Sequence, residues 1–356
     1  MRLVPIKLLK ENAKLALSLT DKHGRTLISA KQVVNARALD VLKNSGLEFI
    51  YVEDQYCFDI KDELDEDGHL AEDFSTRDVT RYADPIDNLK VLFKNFPIYN
   101  VTDTQMRHLF TFVKSIINEI IRAKGKYRII CEPIKRNPDI LYETSIYTTY
   151  ACIIMGIQMD LSRTSLVNLG LASMLKDTGL FCEELDLSNE EDYEAHPLWS
   201  YKYLKRNGIV PDPALAIILQ HHEKEDGSGY PRQLDGKNID PSAKIIGLVN
   251  AYYDLKSKYD SNFESSYLNF ETELNKLLSE FDLDIGRIFM DNLEIFPLDT
   301  IVKLDNSDFG VVVRNVKTNP FHPYVKIIKS KEYSVGEIVG LKDGNNLSIK
   351  HIIYLS

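Results

Sequence analysis

Met106, Leu109, Phe110, Val113, Ile116, Ile117, Ile120 and Ile121 recur at steps of three and four, a stripe that suits a helix with one apolar face. Asp103 stands where such a helix needs a cap. The stripe is long enough to line a core or to meet a second copy of the chain in a helical homodimer. Further apolar spacing predicts helices over residues 140–159, 163–176, 198–206, 213–222 and 243–258. Pro138, Gly208, Pro211, Pro213 and Pro231 punctuate them. The middle of the chain is therefore expected to be a helical bundle.

The two ends read differently. Ala13 to Val34 holds two apolar stretches broken by Asp21-Lys22-His23-Gly24, a hairpin signal. Asn35 can cap a short helix that Gly46 ends, and Phe49 to Val52 reads as a strand. Residues 53–78 are acidic and lack apolar periodicity, as a solvated connection or an interaction tail would. After Pro297, residues 300–304 and 310–313 flank the turn Asp305-Asn306-Ser307-Asp308, and residues 324–328 and 351–355 add strands. The predicted fold class is multidomain and mainly α. A small α/β module spans 1–75 with its acidic linker, a helical domain spans 85–295 and a β-rich module spans 296–356.

Charge and cysteine usage exclude several functions. The formal net charge is -10, from 53 acidic and 43 basic residues, which argues against broad binding to DNA. Cys57, Cys131, Cys152 and Cys182 are scattered and form no close pair, so a zinc ribbon or disulfide framework is not expected and a cytoplasmic setting fits. The longest apolar runs, such as residues 166–175, are too short to span a membrane.

The string His221-His222-Glu223-Lys224-Glu225-Asp226-Gly227-Ser228-Gly229-Tyr230-Pro231 carries the most specific signal. It resembles the signature of the HD-GYP family, whose members degrade cyclic di-GMP, and the resemblance extends over roughly residues 140–258. In that register Lys176 takes the place of the family's first His in the His-Asp pair, while Asp177 keeps the aspartate. Leu180 replaces a lysine, and His196-Pro197 resembles the next landmark. Asn250 replaces the last metal-binding aspartate, and Thr144 replaces the first histidine.

The resemblance thus implies one eroded metal position, at Thr144, Lys176, Asp177 and Asn250, beside one intact set, Asp177, His196, His221 and His222. Imidazoles and a carboxylate suit a single iron, manganese or zinc ion, although no metal at all is also compatible with the losses. An ammonium about 4 Å from a metal costs roughly 4 kcal/mol per unit of metal charge at an effective dielectric near 20. Lys176 is expected either to pair with Asp177, standing in for a cation, or to be an exposed lysine without a role. The loop Asp226, Gly227, Gly229, Tyr230 and Pro231 is the implied ligand or partner loop. The family's basic segment after the last aspartate has no counterpart, and only Lys256 and Lys258 could replace it in part.

Two-metal phosphodiester hydrolysis uses both ions on the reacting oxygens. The expected function is therefore an impaired homologue that senses a cyclic dinucleotide or binds signalling partners through this loop and the flanking modules. The alternatives are a phosphohydrolase with a single metal and a pure protein adaptor. His23, His69, His108, His322 and His351 lack ligand partners at useful spacing, Tyr142, Tyr147 and Tyr150 read as packing residues, and Trp199 is expected in the core.

Overall fold

The structure, a computed structural model, describes all residues except 17, 21–25, 45–48, 58–102, 123–127, 131–139, 183, 184, 187, 209, 261–266, 342–346 and 354–356. The expectations for the Asp21 to Gly24 turn, Gly46, His23, His69, Cys131, Pro138 and most of the acidic connection lie outside the described residues.

Near the N-terminus, β1 (Arg2–Pro5), β2 (Lys14–Leu15) and β5 (Phe49–Glu53) form an antiparallel sheet in the order β1-β5-β2. Between them β3 (Leu19–Thr20) pairs antiparallel with β4 (Thr26–Ile28). Helix α1 (Ala36–Lys43) starts at Asn35, whose side chain accepts from the Ala38 N–H, satisfying one of the first-turn donors. Val4, Ile6, Leu15, Val34, Leu42 and Val52 bury one side of these elements as a small core of their own.

The helical part runs through α2 (Asp103–Arg122), β6 (Ile129–Ile130), α3 (Ile140–Gln158), α4 (Arg163–Leu175), α5 (Glu190–Glu194), α6 (His196–Asn207), α7 (Asp212–Gln220), α8 (Pro241–Asp260), α9 (Tyr267–Leu278) and α10 (Leu283–Asn292). The stripe on α2 packs inward: Met106, Leu109, Val113, Ile116, Ile117 and Ile120 are buried in the chain's own core, and α2 lies against α3 and α4. The stripe thus faces this core and not a second copy. Ile121 falls off that face and is 45% exposed. Helix α4 is buried almost all round, from Leu166 to Leu175, as a central helix must be. Ser162 caps it, accepting from the Ser165 N–H. Pro197 in the first turn and Gly208 in the left-handed region bound α6.

The predicted helices agree with α3, α4, α6, α7 and α8 to within a few residues. α5, α9 and α10 had no predicted counterpart: α5 is only five residues long, whereas Phe270, Leu274 and Leu278 on α9 and Ile285 and Phe289 on α10 do recur at helical spacing. Trp199 is only half-buried, with the Lys202 Nζ 5.0 Å over its ring, so it seals the edge of the core instead of anchoring it.

Beyond β7 (Leu293–Glu294), which pairs with β6, the chain forms an antiparallel sheet. Its strands are β8 (Ile301–Leu304), β9 (Phe309–Arg314), β10 (Tyr324–Lys329), β11 (Ile338–Gly340) and β12 (Ile349–Ile352), in the order β11-β10-β9-β8-β12. Val302, Leu304, Val312, Val325 and Ile327 belong to the same apolar cluster as the helices. Among the described residues, no helix is long and apolar enough to cross a membrane.

Candidate metal centre

The buried helix α4 ends at Leu175 and delivers Lys176 and Asp177 into the interior; they are 2% and 7% exposed. A short 3-10 turn, Thr178–Phe181, then redirects the chain, with Leu180 at its partly buried edge. Ser200 ties this turn to α6: its hydroxyl donates to the Lys176 carbonyl at 2.7 Å and accepts from the Gly179 N–H at 2.7 Å. Ser200 lies four residues after His196, on the same face of α6. His196 opens α6, and His221 and His222 follow the end of α7.

The ligand atoms of His196, His221 and His222 lie within 4.8 Å of one another. His196 Nδ1 is 2.6 Å from the Tyr193 carbonyl, and His221 Nδ1 is 2.6 Å from the Ile218 carbonyl. A carbonyl only accepts, so both Nδ1 atoms donate and both Nε2 atoms carry free lone pairs in the neutral rings. Those Nε2 atoms face each other at 3.3 Å, and the Asp177 Oδ1 lies 3.6 Å from the first and 3.7 Å from the second. Convergent lone pairs, each ring oriented by a backbone carbonyl, are the donor set and supporting shell that a transition metal requires. The residues fit an iron, manganese or zinc ion held by His196, His221 and His222, with Asp177 beside them.

Electrostatics keep the imidazoles ready. Burial pushes His196 down to about 4, assisted by His221 and Lys176 against the pull of Asp177. Burial, then His221 and His196, hold His222 well below the usual imidazole range. Burial alone would raise Asp177, but the Lys176 ammonium outweighs it and holds the carboxyl well below its ordinary value. The Lys176 Nζ is paired with the Asp177 Oδ2, so the reading of Lys176 as an exposed lysine is corrected: its stem runs through the core at the end of a buried helix.

The loop after α7 covers the imidazoles. The Tyr230 ring stacks on His222 with centroids 4.6 Å apart, and the Tyr230 N–H donates to the His222 carbonyl. Gly229 packs so closely that a Cβ would meet the His222 carbonyl oxygen at 2.4 Å, and Gly227 has φ +77°. Asp226 is exposed and makes the turn itself, its Oδ1 accepting from the Ser228 N–H and hydroxyl. Pro231 follows Tyr230 through a cis peptide bond. Glu223 anchors the whole loop: its buried carboxylate accepts from the Arg232 N–H at 2.7 Å and the Leu234 N–H at 2.8 Å.

Thr144 lies in the first turns of α3 and Asn250 midway along α8, both partly exposed. Neither side chain offers an imidazole or a carboxylate to an ion. Lys256 is buried on α8 and Lys258 is exposed near its end. The sequence reading assigned no role to Ser200, Glu223, Tyr193 or Asp254. Asp254 is one turn beyond Asn250, and desolvation raises its carboxyl, with Asp177 adding to the rise and Lys176 opposing it. Each of these four residues had a local signal: Ser200 and Asp254 their four-residue spacing from His196 and Asn250, Tyr193 its place three residues before His196, and Glu223 its place inside the 221–231 string.

Residues 131–265 match the family described as HD domain. The chain is 27% identical over 230 residues to "Cyclic di-GMP phosphodiesterase PdeB" of Borreliella burgdorferi, covering 59% of this chain and 59% of that protein. It is 23% identical over 213 residues to "Cyclic di-GMP phosphodiesterase PA4108" of Pseudomonas aeruginosa, covering 57% and 51%. The matches thus span little more than half the length of these curated relatives. The solved structure of Bd1817, a HDG"Y"P protein from Bdellovibrio bacteriovorus, aligns over 81% of this chain and 97% of that one, with 14% identity and a TM-score of 0.36.

Proposed function

We propose that this chain, which belongs to the HD-GYP family, is an impaired member that binds a cyclic dinucleotide as a signal instead of turning it over efficiently. The observation that carries the proposal is the buried Lys176–Asp177 ion pair, which sets an ammonium beside the imidazole cluster. An ammonium has no lone pair to give a metal, so the centre keeps one set of metal donors, His196, His221 and His222. A bound metal ion would supply Lewis acidity and an acidified water there. Around it His196 and His221 stay oriented by their carbonyl partners, Tyr230 shields His222 from solvent, and Glu223 holds the loop in place. With one ion, the paired stabilisation of attacking and leaving oxygens is lost, at a cost on the order of 100-fold or more in rate.

Metal content measured on the purified protein, with calorimetric titration of cyclic di-GMP on the same sample, tests this reading. The expected result is up to one metal per chain, lost in His221→Ala/His222→Ala, together with nucleotide binding and no sustained hydrolysis. Robust metal-dependent turnover overturns it. A second reading, a phosphohydrolase with a single metal, is favoured by the three converging imidazoles and is what such turnover would support.

We further propose the three-part division 1–75, 85–295 and 296–356, with the loop at Tyr230 and the flanking modules as surfaces for protein partners. We also propose a cytoplasmic setting, which the scattered cysteine spacing supports.

A further inference from the structure

The carboxylate of Asp177 is shared between two sides of the centre. Its Oδ2 is held by the Lys176 ammonium, while its Oδ1 faces the Nε2 atoms of His196 and His221 at 3.6 and 3.7 Å. The lysine is interior, 2% exposed. With neutral imidazoles, Lys176, Asp177 and the three histidines are together charge-balanced when empty: one ammonium and one carboxylate. A divalent ion would leave it with two net positive charges in a dry interior, where repulsion is poorly screened. Without the ammonium, the same ion would leave one, and the empty site would hold an uncompensated buried carboxylate.

We propose that Lys176 is an internal competitor for Asp177 that holds the affinity of the His196, His221 and His222 set for a divalent cation below what these donors would otherwise reach. The same contact keeps the centre folded and neutral without metal. The inference rests on reading the three imidazoles as a metal site. Lys176 is a positioning residue here, acting on the ion through the carboxylate it holds.

Zinc titration of the full chain against a competing chelator, with melting curves of the metal-free protein, tests this. Lys176→Met is expected to bind zinc at least ~10-fold more tightly than the parent protein. It should melt at a lower temperature without metal and recover on zinc addition. Lys176→Arg keeps the charge and should leave the affinity within about threefold of the parent. Should Lys176→Met fail to fold without metal, Lys176→Gln, which keeps a donor for Asp177 without the charge, takes its place with the same expected tightening. Equal or weaker zinc binding by the folded neutral variant overturns the competitor role alone. Zinc binding by none of these proteins overturns the metal reading of the imidazoles and this inference with it.

Discussion

Glu223 illustrates how a single buried group positions the candidate site. Both its oxygens are engaged by backbone N–H groups of the loop that carries Tyr230, and nothing else in that loop replaces them as acceptors for Arg232 and Leu234. Glu223→Gln keeps the size but sets an amide donor against one of these N–H groups. Urea unfolding should report a loss of about 2 kcal/mol, and a change below about 0.5 kcal/mol, the scale of surface substitutions, would show that the loop is held by other contacts. His196 sets a pH dependence. Its folded value is about 4 against the ordinary 6.5, so between those pH values the unfolded chain takes up a proton that the folded protein refuses. The His196 contribution to the stability of the chelator-treated protein should therefore fall as pH drops from 6.5 towards 4, by up to about 1.4 kcal/mol per pH unit, with His222 steepening the loss in the same direction. A urea midpoint that stays flat between about pH 6.5 and 5 would contradict this burial of a neutral ring.

At the scale of elements, α2 tests whether helical periodicity translates into packing. Leu109 is 1% exposed within the stripe that meets α3 and α4, whereas Ile121 is 45% exposed. Leu109→Ala should cost about 2–5 kcal/mol through lost burial and the cavity left behind. Ile121→Ala should change stability by less than about 0.5 kcal/mol. Equal effects in thermal melts would mean that the helix presents a different face. The ends of α4 and α7 matter more for function than their middles, since Lys176, Asp177, His221 and His222 all sit just past the last helical turn. There the backbone bends away from the helix and side chains can converge from different directions.

At the scale of the whole molecule, the C-terminal sheet and the helices share one apolar cluster, with the Phe270 and Phe321 rings 5.9 Å apart and the His322 Nε2 3.7 Å from a Glu271 oxygen. Phe321→Ala should cost about 3–5 kcal/mol, and the helical part and this sheet should lose structure in one calorimetric transition. Two separated transitions would show that the boundary near residue 296 divides independently folding units. The helical class was legible in the sequence because a buried face repeats its apolar residues every three to four positions, and the strands near residues 301–304 and 309–314 stood out by their turn at Asp305 to Asp308. The histidine string at 221–231 was legible because local backbone demands, a tight approach at Gly229 and a left-handed Gly227, are written in adjacent residues. Two things required the tertiary structure: which way the α2 stripe faces and the burial of Lys176 against Asp177, whereas the meeting of His196 with His221 was implied by the family resemblance and by no spacing along the chain. Each depends on contacts between residues distant in sequence or on the surroundings of a helix end, and side-chain spacing along the chain carries no information about what packs across it.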